Sequence, residues 1–195
     1  MNRFGIFGLV VAGAAALAAG CSTSQSAESE ARYRKALADT AQSRPVQQGS
    51  AVEERAITDF VDFYKTFDAA TVRAKVREVY ADDAYFRDPF HEVDGIDAIE
   101  KYFVASTESI EECTFDMQDV ARHDRNYYFR WTMHLKTKRD PEHPIESIGI
   151  THVRFDDKGK VVFHQDYWDA GSVVYERIPV LGSMVRFVKN RIRGD

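Results

Sequence analysis

The 195-residue chain, with 44% hydrophobic and 12% aromatic side chains, can bury the core of one sizeable domain. Its 26 basic and 31 acidic residues leave a net charge of −5, a balance that gives no support to a nucleic-acid role. With two cysteines and no CxxC, HExxH or glycine-rich phosphate loop, neither a disulfide framework nor a metal or cofactor site is expected.

In chain order, Arg3 supplies a positive start, and Phe4 to Ala19 is apolar and small. That run is short for a spanning helix, which needs about 20 apolar residues. Leu17-Ala18-Ala19-Gly20-Cys21 reads as a lipobox, so residues 1–20 are predicted to be a lipoprotein signal peptide and Cys21 the lipidated residue. The alternative is an ordinary secretory signal with an incidental cysteine. Diacylglycerol on Cys21 would make the membrane a partner through the anchor and put the protein in the cell envelope. Ser22 after the cysteine resembles bacterial lipoproteins of the outer membrane, where the source has one. Residues 21–50 are rich in Ser, Gln, Ala and Glu and are read as a flexible tether, although Glu28 to Ala41 has the composition of a short helix.

The folded domain is predicted over residues 51–170. Val52 to Phe67 carries Ala56, Ile57, Phe60, Val61, Phe63, Tyr64 and Phe67 at a helical period. Thr71 is the expected cap of a second helix, with Val72, Val76, Val79 and Tyr80 on one side. Ala84 to Asp88 reads as a short strand, and Gly95 introduces a third helix, Ile96 to Ser106, with Ile99, Tyr102 and Phe103 inward. From Cys113 the period changes to two. Phe115, Met117 and Val120 mark one strand, and Tyr127, Phe129, Trp131, Met133 and Leu135 mark the next. Lys138 to Pro144 reads as a polar loop, followed by strands Glu146 to Phe155 and Lys160 to Asp169. If the intervening turn has four residues, Thr151 pairs with His164 and Gly149 with Asp166; if it has three and a glycine bulge, His152 stands opposite His164. A C-terminal extension, residues 171–195, contains a basic helix, Ile178 to Arg193, that suits either anionic lipid or the domain's own surface. The fold class is therefore α+β, with three helices packed on one face of a bent antiparallel sheet.

Asp88 stands against Pro89 where an apolar strand stops, a setting that raises a carboxylate pKa and suits a general base. The plainer reading is an aspartate that caps the following turn. The runs Tyr80 to Phe90 and Arg154 to Asp169 together resemble the NTF2-like superfamily, the cone-shaped fold of ketosteroid isomerases, SnoaL-type polyketide cyclases and limonene-epoxide hydrolases. The resemblance covers about residues 52 to 170 and implies a strongly bent sheet around a pocket. Aligned on the Asp-Pro pair, Tyr80-Ala81-Asp82-Asp83-Ala84 matches the isomerases' own run. Tyr64 then falls on their oxyanion-hole tyrosine and Asp88 on their base. Trp168, Phe129, Trp131 and Met133 fall on the pocket lining, joined by Phe86 on the strand before Asp88. Thr151 replaces the second oxyanion donor, a protonated aspartic acid in the isomerases, and so weakens that hole.

Asp166 falls on the water-activating aspartate of the epoxide hydrolases, but Trp131 and Met133 stand where those enzymes need an arginine and an aspartate. The SnoaL-type cyclases instead point nearer Asp169. His164 and Asp166 are either part of the chemistry or a hydrogen-bonded pair in the pocket wall. The resemblance implies a small hydrophobic ligand, isomerase- or cyclase-type proton transfer and, from the habit of the superfamily, a homodimer. The alternative it leaves is a non-catalytic binding or assembly module of the cell envelope.

Overall fold

The computed structural model describes residues 27–194; the expected signal peptide and Cys21 lie outside the described residues. The chain divides into two compact units, one ending at Gln42 and one beginning at Ser43. In the first, helix α1 occupies residues 27–42, where a flexible tether was expected. None of its side chains is buried, and it is supported by ion pairs one turn apart, Glu30–Arg34 at 2.9 Å and Lys35–Asp39.

The second unit runs α2 (Ala51–Tyr64), α3 (Ala69–Val79), β1 (Tyr80–Arg87), β2 (Glu92–Asp94), α4 (Ile96–Ser106), β3 (Ile110–His123), β4 (Asn126–Thr137), β5 (Asp140–Phe155), β6 (Val161–Trp168), α5 (Ala170–Val173) and α6 (Leu181–Arg193). Ser50 caps α2, accepting from the Glu53 N–H at 3.2 Å. The cap of α3 is Asp68 rather than Thr71; its carboxylate accepts from the Thr71 N–H at 2.7 Å. The apolar faces of α2, α3 and α4 bury Phe60, Phe63, Val72, Val76 and Ile99 in one core with Phe129, Val153 and Phe155 of the sheet.

The expected α+β layering, with the N-terminal helices on a sheet, is what forms, but the strongly bent sheet is not. The six strands lie in the open order β2-β1-β6-β5-β4-β3, neither closed nor strongly curled. The edge strands β2 and β3 do not pair with one another, so the ladder stays open. Its register shifts, between Ile110 and Glu112, Met117 and Asp119, Leu135 and Thr137, Arg154 and Phe155, and Tyr80 and Tyr85, are local interruptions of the ladders. The sheet is also mixed, because β6 inserts between β5 and β1 and pairs parallel to β1. The segment expected as a loop before Glu146 is strand: Thr137 pairs with Asp140 across a tight turn. Pro141 and Pro144 fit there because β6 reaches only as far as the Gly149–Trp168 pair, leaving β5 an edge before that point.

The last hairpin differs from both expected registers. Gly159, at φ +84°, closes a short turn in which the Asp156 N–H bonds the Lys160 carbonyl at 2.9 Å. An irregularity at Val162 then shifts the ladder, so that Arg154 pairs with Phe163, Val153 with His164 and Thr151 with Asp166. The two offsets together keep Thr151, His164 and Asp166 on one face of the sheet, the face toward the helices.

Candidate active site

Asp88 follows the last residue of β1, and its carboxyl is fastened on both oxygens. Oδ1 accepts the backbone N–H groups of Phe90 and His91, each at 2.7 Å, and Oδ2 accepts the Tyr102 hydroxyl at 2.5 Å. Burial pushes its pKa above the usual carboxylate range against these three hydrogen bonds, and the nearby charge of Asp166 adds to the rise. His91 stacks on the Tyr102 ring at 4.6 Å, which backs the Tyr102–Asp88 contact from outside.

A second polar line runs through the core beside it. The hydroxyls of Tyr64 and Tyr80 are 2.6 Å apart, and the Tyr80 hydroxyl lies 2.8 Å from His164 Nδ1. His164 Nε2 lies 2.9 Å from Asp166 Oδ1, which also accepts the Thr151 hydroxyl at 2.5 Å; Thr151 in turn accepts the Trp131 indole N–H at 2.8 Å. With the imidazole hydrogen on Nε2, every member finds a partner in one direction: Tyr64 donates to Tyr80, Tyr80 to His164, and His164 to Asp166. Tyr64 and Tyr80 are both buried, Tyr64 at the edge of the cavity, and burial holds both phenols well above their ordinary pKa.

The two carboxylates open on one cavity of about 660 Å³. Of the residues expected there, Tyr64, Phe86, Asp88 and Asp166 line it, with Trp131, Met133 and Trp168 in the wall. Three others do not. Phe129 packs in the core, its ring 4.5 Å from Phe60; Thr151 sits behind Trp131; and His164, 1% exposed, lies beneath Phe86 at 4.7 Å. Asp169 is outside the cavity and caps α5 through the Ser172 N–H. Trp131 can lie flat in the wall because Gly149 faces it; a Cβ there would come within 2.3 Å of the indole. Tyr80 and Tyr102 were not singled out for roles in the sequence, although both fall on the inward faces of the expected second and third helices; in the structure Tyr80 is the first residue of β1. After β6, the segment carrying Val173, Val174, Arg177 and Ile178 completes one side of the cavity.

The sequence matches the SnoaL-like domain family over residues 59–164, more than half of the chain. The chain belongs to that family. No curated protein sequence matches it. Among solved structures, a ketosteroid isomerase-like protein from Catenulispora acidiphila in complex with trimethylamine is 16% identical, with a TM-score of 0.53 over 61% of this chain and 88% of that one. A candidate SnoaL-like polyketide cyclase from Jannaschia sp. CCS1 is 14% identical, with a TM-score of 0.54 over 65% of this chain and 94% of that one. An epoxide hydrolase of the limonene-epoxide hydrolase type from Mycobacterium tuberculosis is 14% identical, with a TM-score of 0.50 over 75% of this chain and 98% of that one. At these identities the likeness is one of fold. The SnoaL-like segment takes in Tyr64, Asp88 and His164 and stops two residues before Asp166.

Proposed function

We propose that this SnoaL-like domain holds a small, largely apolar molecule bearing a carbonyl or similar oxygen group, and moves a proton on it. The observation that carries the reading is the Tyr64–Tyr80–His164–Asp166 line ending on the same cavity as Asp88. In the direction described above, the Tyr64 hydrogen is committed to Tyr80 and its oxygen is the end of the line nearest the cavity. A proton accepted there lets Tyr64 pass its own hydrogen to Tyr80, and Tyr80 pass its own to His164. The proton thus comes to rest as an imidazolium against the Asp166 carboxylate. Run backwards, the same steps return a proton to the ligand. Tyr64 serves as an oxyanion donor only in the second state. Asp88, protonated more readily than a free carboxyl, is the second group able to give or take a proton.

The relatives named as an epoxide hydrolase and a candidate cyclase are consistent with chemistry in such a cavity. A non-catalytic module is favoured by one observation, the saturation of the Asp88 carboxyl by three hydrogen bonds, which is what a purely structural turn needs. The two readings separate in a proton-exchange experiment. A set of enolisable cyclic ketones of cavity size is incubated with the protein in D₂O, and α-proton exchange is followed by NMR. Proton transfer predicts exchange that is lost in His164→Gln and reduced in Asp88→Asn. Ketones that bind without exchange would leave only the binding module.

Export and lipidation belong to the same proposal. The lipobox supports attachment at Cys21 and a place in the cell envelope, so a clickable fatty acid fed to cells should label the wild type and leave Cys21→Ser unlabelled. The homodimer implied by the superfamily is tested by sedimentation of the same material.

A further inference from the structure

Helix α6 is turned inside out. Gly182, at i, is its buried residue, Arg186 and Lys189, at i+4 and i+7, reach back to the domain, and Val185 is the one half-buried apolar side chain. A Cβ on Gly182 would meet the Glu176 carbonyl at 2.1 Å, so the helix seats closely there. The Arg186 guanidinium donates to the same carbonyl at 2.9 Å, and Lys189 pairs with the Glu176 carboxylate and lies 3.9 Å from that of Asp169. The remaining apolar residues point the other way, with Met184 62%, Phe187 66%, Val188 53% and Ile192 80% exposed. A soluble helix ordinarily does the reverse.

The charge on this helix is equally one-sided. It carries Arg186, Lys189, Arg191 and Arg193 with no acidic residue, in a chain of net charge −5. Arg186 and Lys189 are used in the seating, whereas Arg191 and Arg193 meet no carboxylate among the described residues. By helical position Arg191 falls beside Met184 and Phe187, so that a guanidinium borders the exposed apolar strip.

We infer that the outer face of α6 docks on an anionic lipid surface, with Met184, Phe187, Val188 and Ile192 entering the acyl boundary, Arg191 meeting the headgroups, and Arg193, at the helix end on the Lys189 side, adding to the positive charge near them. An apolar strip edged by positive charge is the form such a contact takes. A second copy of the same face would bring like charges together, which a negatively charged bilayer does not. The helix begins immediately after the segment that carries Arg177 and Ile178 in the cavity wall. Lipid contact therefore falls close to the apolar cavity and gives a hydrophobic ligand a short path into it. The inference stands apart from the acyl anchor at Cys21 and from proton transfer in the cavity.

The test uses the full chain with Cys21→Ser, so that no acyl chain is attached, and with Met184→Cys labelled by an environment-sensitive dye. Cys113 does not compete for the label, because it is buried and its thiol is pushed up to about 12. On vesicles of phosphatidylglycerol and phosphatidylcholine the dye emission should move to shorter wavelength, and the shift should weaken as salt rises. Arg191→Gln with Arg193→Gln should weaken partition by about 25-fold, roughly fivefold for each arginine. Val188→Glu with Ile192→Glu should abolish the shift. A dye that stays in water on these vesicles overturns the inference, as does an equal shift on pure phosphatidylcholine. So does a shift that appears without vesicles and grows with protein concentration, because a second copy would then cover the face.

Discussion

Tyr80 joins two halves of the polar line, because its hydroxyl is the partner of both the Tyr64 hydroxyl and His164 Nδ1. In Tyr80→Phe the Tyr64 hydroxyl and His164 Nδ1 are left facing a ring edge inside the core. Leaving buried polar groups unpaired costs about 1–3 kcal/mol, so chemical denaturation should show a loss of that size. The ring and its packing on Phe63 and Phe103 are retained, so a loss well above that range would mean that the ring has shifted. Asp88 offers a second check at this scale, read from its raised pKa. The folded state then binds its proton more tightly than the unfolded chain, so ionising it withdraws stability as pH rises above the ordinary aspartate range near 4. Asp88→Asn removes that decline, and the variant should lose less stability than the wild type between pH 4 and pH 7. Asp88 was legible in the sequence because an Asp-Pro boundary marks a position without knowledge of the fold, and Tyr64 because the resemblance to the isomerases, aligned on that pair, falls on it. Tyr80 and Tyr102 were not, because what they touch is decided by residues 84 and 14 positions away.

At the scale of elements, periodicity carried most of the reading. The two-residue alternation through Tyr127, Phe129, Trp131, Met133 and Leu135 places all five on the inner side of β4, and the third helix has the bounds that the sequence indicated, Ile96–Ser106. Register was not legible, because a turn of ambiguous length and an irregularity at Val162 each shift the ladder, and only their combination fixes the faces. Inserting one residue between Phe163 and His164 should therefore turn His164, Asp166 and Trp168 to the outer side of the sheet, whereas deleting Val162, which has no partner on β5, leaves the pairs from Arg154–Phe163 onward in place. Exposing the core to the opposite residues of β6 is a severe change, expected to cost more than about 4 kcal/mol or to prevent folding, as read by near-ultraviolet circular dichroism and denaturant titration. A milder test lies one strand away. Gly149→Ala puts a methyl into the Trp131 indole and should cost roughly 1–3 kcal/mol, with a change in tryptophan fluorescence as the ring is displaced from the cavity wall. Unchanged fluorescence and stability would mean that β4 and β5 pair differently.

For the molecule as a whole, the pH dependence of stability is set by groups that lie in different parts of the fold and act in different windows. Glu53 is pushed up by burial, yet the Tyr127 hydroxyl, the Gly49 N–H and Arg122 together hold its pKa below the usual value; its contribution is present above the ordinary glutamate range and is lost as pH falls below it. His152 acts earlier. It is 5% exposed on the side of the sheet away from the cavity, with Nε2 2.8 Å from Asn126 Oδ1 and its ring 4.9 Å from Phe163. Burial, and next the charge of Arg154, lower its pKa to about 4 from the 6.5 of a free imidazole. Between those values the unfolded chain takes up a proton that the folded chain refuses, so stability falls as pH drops from about 6.5 to about 4. At 1.36 kcal/mol per unit, the loss is on the order of 3 kcal/mol. His152→Gln keeps a side-chain amide for Asn126 and cannot titrate, so denaturant titrations at pH 7 and pH 4 should show a gap smaller by about that amount than in the wild type. Asp88 works in the opposite direction over part of the same range, since its protonation favours the folded state, and the His152→Gln comparison leaves that contribution untouched. A variant whose acid loss equals that of the wild type would place the proton uptake elsewhere and mean that the His152 imidazole is open to water.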